Sequence, residues 1–121
     1  MKYLFLLFLV FTAAANSQTK DGFIGHWINT DKTTTIEIYK MEESYYGKII
    51  NSTTPKLQDL KNEIIIVQMR ERNEKKLYGG TFYDILNNNQ YEIKMKLIKP
   101  NQMVVIRANR IFPKKQYWNK I

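Results

Sequence analysis

The stretch "YGGTFYDILNNNQYEIKMKL", Tyr78 to Leu97, decides the fold. After its asparagine run, Tyr91, Ile93, Met95 and Leu97 fall on one side, and Gln90, Glu92, Lys94 and Lys96 on the other. That period of two is the pattern of a half-buried antiparallel strand, apolar face inward and charged face wet. Gly79 and Gly80 stand just before an aromatic run, where glycine marks a bulge, a corner or a close backbone approach. Asn87, Asn88 and Asn89 tolerate left-handed backbone and predict a turn. The stretch therefore reads as a hairpin with one strongly bent strand.

Working outward, nearly every segment reads the same way. "FIGHWIN" (23–29), "TTTIEIYK" (33–40) and "SYYGKII" (44–50) precede the quoted hairpin with "EIIIVQM" (63–69), and "MVVIRAN" (103–109) and "KKQYWNKI" (114–121) follow it. Thr34, Ile36 and Ile38 share one face, as do Tyr45, Gly47 and Ile49. Polar "NSTTPKLQDLKN" is the one long connection, and Pro55 suits the first position of a short helical turn. Eight short strands joined mostly by short turns favour antiparallel neighbours. The reading is an all-β, up-and-down, eight-stranded barrel, with a two-sheet sandwich as the alternative. Periodicity alone does not separate the two.

Residues 1–17 are set aside. Lys2 supplies a positive start, "YLFLLFLVF" an apolar run and "TAAANSQ" small residues for cleavage, the pattern of a signal peptide. The expectation is export, periplasmic or secreted, with the leader as a detached helix and residues 18–121 as a single domain. The apolar run is short for a membrane span, which needs roughly 20 residues, and no later segment approaches that length. The 121 residues contain no cysteine. A thiolate nucleophile and a cysteine metal site are excluded, and strand pairing and packing must hold the domain without disulfides.

The charge excess, 19 Lys plus Arg against 11 Asp plus Glu, fits anionic surfaces or ligands on an exported protein. The basic residues are scattered, and nucleic acid is not an expected partner. Catalytic constellations are thin. The one histidine, His26, points to the face opposite Trp27, and no metal-ligand spacing accompanies it. Asp84 reads as the side chain capping the following turn, and no second carboxylate sits at a diagnostic spacing. Ser44 and Ser52 lack a nucleophile-elbow context. No cofactor is expected, and an enzyme using His26 or Asp84 is the weakest alternative.

The order of "IGHWINTDKTTTIEIYKMEESYYGKII", "YGGTFYDILNNNQY", "VVIRAN" and "KKQYWNKI" resembles an exported bacterial family, the domain of unknown function 2147 (DUF2147). Gly79-Gly80-Thr81-Phe82-Tyr83-Asp84 followed by Tyr91 is the strongest piece. The chain departs from the family pattern at Tyr46 (often cysteine), Lys120 (arginine) and Ala108 (glycine), and lacks the proline and glycine of the turn after Asp84. The family has no established activity, so the resemblance implies fold and export. Gly25-His26-Trp27 is similar to the lipocalin G-x-W signature, which implies a tryptophan closing one barrel end under a basic side chain, Arg107 or Lys120 here.

Consistent alternation places Trp27, Tyr45, Phe82, Tyr91 and Trp118 inward, where they either fill the core or line a ligand site. The candidate pocket is Trp27, Tyr45, Phe82, Tyr91, Met95, Ile106 and Trp118, with Arg107 as anion partner. The expected function is a non-catalytic barrel binding a small amphipathic or anionic molecule. The rival is a solid-core protein acting through a basic, aromatic outer surface. A cavity of roughly 300 Å³ or more separates these readings. Partners and oligomeric state are not legible.

Overall fold

The structure, a computed structural model, describes residues 21–108 and 114–121. The leader expected at 1–17 lies outside the described residues. Eight strands run β1 (Gly25–Asn29), β2 (Thr34–Met41), β3 (Ser44–Ser52), β4 (Ile64–Asn73), β5 (Lys76–Asp84), β6 (Asn89–Lys99), β7 (Gln102–Arg107) and β8 (Lys115–Lys120). Each pairs antiparallel with its chain neighbours, and β1 closes on β8 through Trp27↔Lys120, Ile28↔Asn119 and Asn29↔Trp118. The sheet is a closed up-and-down barrel, not a sandwich. Closure leaves no strand edge unpaired, which matters for a basic chain without disulfides.

One short helix, α1 (Pro55–Gln58), sits in the long connection with Pro55 in its first turn. Gln58 anchors it by accepting the Ser52 backbone N–H through Oε1 at 2.7 Å. Among the described residues no helix is long and apolar enough to cross a membrane.

The paired glycines have separate jobs. Gly79 has φ +77°, a left-handed conformation costly for a residue with a Cβ. It forms the bulge between Leu77↔Met95 and Gly80↔Ile93, which shifts the phase so that Leu77 and Gly80 both face inward. At Gly80 an added Cβ would lie 2.5 Å from the Val67 carbonyl oxygen and 2.8 Å from the Met69 nitrogen. Only glycine lets β5 press against β4 there. Gln68, opposite this bend, also has positive φ (56°), and the inward phase of β4 changes between Ile66 and Met69.

Two sequence boundaries move. β4 continues to Asn73 because Arg70, Glu71 and Asn73 pair with Tyr78, Leu77 and Lys76, so a charged tail stays in the ladder. β1 begins at Gly25, and Phe23 precedes it as a buried plug rather than a strand residue. The plug is held because the Trp27 indole N–H donates to the Phe23 carbonyl at 2.9 Å. The Phe23 ring meets Tyr45 edge-on, centroids 6.2 Å apart.

Candidate functional site

The barrel has two unlike ends. The first strand of each hairpin β1–β2, β3–β4, β5–β6 and β7–β8 runs toward one end, the loop end; the tight turns after β2, β4 and β6 lie at the other. Inward residues therefore form layers. Near the tight-turn end lie Ile38, Tyr45, Met69, Leu77, Met95 and Met103, all fully buried in one apolar cluster with Phe23 and Trp27. This half is the packed core. The Lys120 ammonium lies 5.4 Å from the Trp27 ring centroid and donates to the Gly22 carbonyl at 3.1 Å. Of the two basic residues expected over Trp27, Lys120 takes the place.

The Tyr45 hydroxyl is the polar member of the packed half. It donates to Asp21 Oδ2 at 2.5 Å, with Glu71 Oε1 at 3.3 Å. Burial, then the hydrogen bond and charge of Asp21, then Glu71, push its pKa well above the ordinary tyrosine value. A phenol held neutral in this way ties the segment before β1 across the end of the barrel.

The loop end is hollow. A cavity of about 660 Å³ opens there, walled by Ile49, Ile65, Ile93 and Val105, with Leu57 of α1 and the β5–β6 turn at its mouth. Phe82 and Tyr91 are cross-strand partners whose rings stack at 5.5 Å, 21° apart in plane. The Arg107 guanidinium carbon lies 3.6 Å from the Tyr91 centroid. Three adjacent strands thus present a Phe–Tyr–Arg stack along one wall. Facing residues on β8 include Trp118, whose buried indole N–H has no acceptor among the described residues. Arg107 makes no ion pair among those residues either, while Lys114 and Lys115 add cations at the lip.

The eight candidate residues divide accordingly. Phe82, Tyr91, Arg107 and Trp118 come together around the cavity. Trp27, Tyr45 and Met95 are buried in the packed half and do not line it. Their alternation is inward, but they lie one or more layers too deep. Ile106 is a correction: it follows Val105 and precedes Arg107, so the strand pleat turns it outward, into a groove with Tyr78 and Lys94. Sequence reading missed Ile49, Ile65 and Leu57 as walls. The alternation at Tyr45, Gly47 and Ile49 signalled the first; nothing local signalled the depth at which packing stops.

The residues weighed for catalysis are apart from one another. His26 sits on the outer surface, its Nε2 3.9 Å from Glu37 Oε2. Asp84 lies at the mouth and caps its turn, accepting from the Asn87 backbone N–H at 3.2 Å and the Asn87 side-chain amide at 2.8 Å. Asn88 in that turn has φ 54°, as the asparagine run predicts. No group of three or more His, Asp or Glu able to hold a metal ion occurs among the described residues.

A comparison with curated proteins finds no match. Among solved structures the chain is similar to protein HP1028 from the human pathogen Helicobacter pylori, which belongs to the lipocalin family. The TM-score is 0.68 at 12% sequence identity, covering 82% of each chain; at that identity the likeness shows the fold. A family model described as an uncharacterized protein conserved in bacteria, DUF2147, matches residues 25–120. That span runs from the first residue of β1 to the last of β8. The chain belongs to the DUF2147 family, built as a lipocalin-like barrel.

Proposed function

We propose that this protein is an exported, non-catalytic binder that holds a small amphipathic or anionic molecule in the loop-end cavity. One observation carries the reading. A cavity of about 660 Å³ has an apolar inner wall (Ile49, Ile65, Ile93, Val105), a polar mouth that includes Thr33, Asn87 and Gln116, a lining Trp118 whose buried N–H lacks an acceptor, and an Arg107 without an ion pair, both among the described residues. Ligand pockets run from roughly 300 to 1,000 Å³, and an apolar interior under a polar mouth suits an amphipathic molecule better than a purely apolar one. A buried donor left unmade costs about 1–3 kcal/mol, and a ligand acceptor at Trp118 removes that cost. Arg107 keeps its edge N–H groups for a carboxylate or phosphate while its face rests on Tyr91.

The separation of His26 from Asp84 supports a non-catalytic role, and the leader-like residues 1–17 support export. The cavity weighs against a solid core. The test is native mass spectrometry of the protein purified from its own host, followed by denaturing extraction. A stoichiometric small molecule released on denaturation is expected. A clean apo mass, with no thermal shift from added long-chain fatty acids, would sink the reading.

A further inference from the structure

The outer face of β5, β6 and β7 carries charge that the cavity does not use. Lys76 and Lys96 are direct cross-strand partners, an arrangement in which like charges repel and weaken the ladder. Lys94 stands two residues from Lys96 on the same face. Together with Arg72, Tyr78 and Ile106 these lysines line a groove of about 420 Å³, in which Glu92 is the one carboxylate. Arg70 and Arg72 both lie 5.0 Å from the Tyr78 ring centroid. The ion pairs among the described residues are those of Glu37 with His26 and Lys48. None of these five cations makes an ion pair among the described residues, and four of them share the groove with the single carboxylate of Glu92.

Apolar side chains are set into the same face. Ile98 follows Lys94 and Lys96 along β6 at the point where the register to β7 shifts, and it is 46% exposed. Tyr117 pairs with Val104 at the next strands and is 40% exposed. A soluble polyanion would satisfy the lysines but offers nothing to Ile98 and Tyr117. The boundary of an anionic bilayer satisfies both: lipid phosphates meet the ammonium groups, and lysine stems, tyrosine and isoleucine lie among the upper acyl carbons. We propose that this face docks the barrel onto an anionic lipid surface. Docking by the side of the barrel leaves the loop-end mouth free. Docking of this face does not require an occupied cavity.

The experiment is co-sedimentation of the protein, purified from its own host, with vesicles. One set contains phosphatidylcholine alone, the other roughly one-third phosphatidylglycerol. Binding to the anionic set is expected, falling about fivefold for each cation removed, the factor that corresponds to ~1 kcal/mol per charge at such a surface. The Lys94→Gln/Lys96→Gln double variant thus loses on the order of 25-fold, and its thermal midpoint does not fall, because a repulsive pair is gone. Ile98→Ser/Tyr117→Ser weakens the binding that persists at high salt. Equal binding to both vesicle sets, or wild-type binding by the lysine variant, overturns the proposal. So does wild-type vesicle binding by Ile98→Ser/Tyr117→Ser combined with displacement from vesicles by soluble polyphosphate, which would assign the face to a polyanion instead.

Discussion

The guanidinium carbon of Arg107 lies over the Tyr91 ring, 3.6 Å from its centroid, and Tyr91 in turn stacks on Phe82. The contact spends the face of the guanidinium and leaves its edge, which is how arginine is pre-organised for a planar anion. Arg107→Ala is expected to weaken binding of a fatty-acid probe such as dodecanoate by roughly 10- to 100-fold, the range of a charge-assisted hydrogen bond. Arg107→Lys should not restore it, since an ammonium lacks the fork. Titration by isothermal calorimetry checks both, and equal affinity of all three proteins would remove Arg107 from the site.

Trp118 carries a buried N–H without an acceptor among the described residues. Replacing it with phenylalanine deletes that unmade bond along with some ring volume, two effects of opposite sign. The unliganded Trp118→Phe protein should stay within about 1 kcal/mol of wild type in urea unfolding. The same variant should lose stabilisation by ligand. A loss of several kcal/mol without ligand would mean that the indole is a packing element and nothing more.

Gly80→Ala is the most damaging small substitution expected. Its Cβ meets backbone atoms, the Val67 oxygen at 2.5 Å and the Met69 nitrogen at 2.8 Å, and backbone cannot rotate away. A cost of about 2–3 kcal/mol follows, at the upper end of overpacking. Gly79→Ala should cost roughly 1 kcal/mol, the penalty for placing a Cβ in left-handed backbone. Urea midpoints of the two variants read the difference, and the reverse order would contradict this account of the bulge.

Tyr45 gives the barrel an alkaline limit. Its folded pKa is raised by burial and by Asp21, so the folded chain keeps a proton that the unfolded chain releases near the ordinary tyrosine value of about 10. The stabilisation is fully present below that pH and declines as pH rises beyond it. Between pH 8 and 11 the wild-type protein should lose stability more steeply than Tyr45→Phe. Tyr39, also raised by burial with Tyr46 and Glu37 beside it, keeps a residual slope in the variant. Parallel slopes in the two proteins would show that the phenol ionises freely in the fold.

The strand count, the inward phase of Tyr91, Ile93 and Met95, the turn at Asn87–Asn89 and the bend at Gly79–Gly80 were legible without coordinates. These are local: a pleat repeats every two residues, and a glycine or asparagine declares its backbone where it stands. Half of the candidate pocket was legible for the same reason. Whether Met95 or Ile93 faces the cavity depends on how many layers Phe23, Trp27 and Tyr45 fill beneath them. That is settled by residues distant in sequence, which pairing of β1, β2 and β3 and the closed barrel bring beneath β6. Barrel against sandwich was decided by that same closure. The stack of Arg107 on Tyr91 and the repulsive pairing of Lys76 with Lys96 are matters of register between strands, which alternation within one strand does not encode.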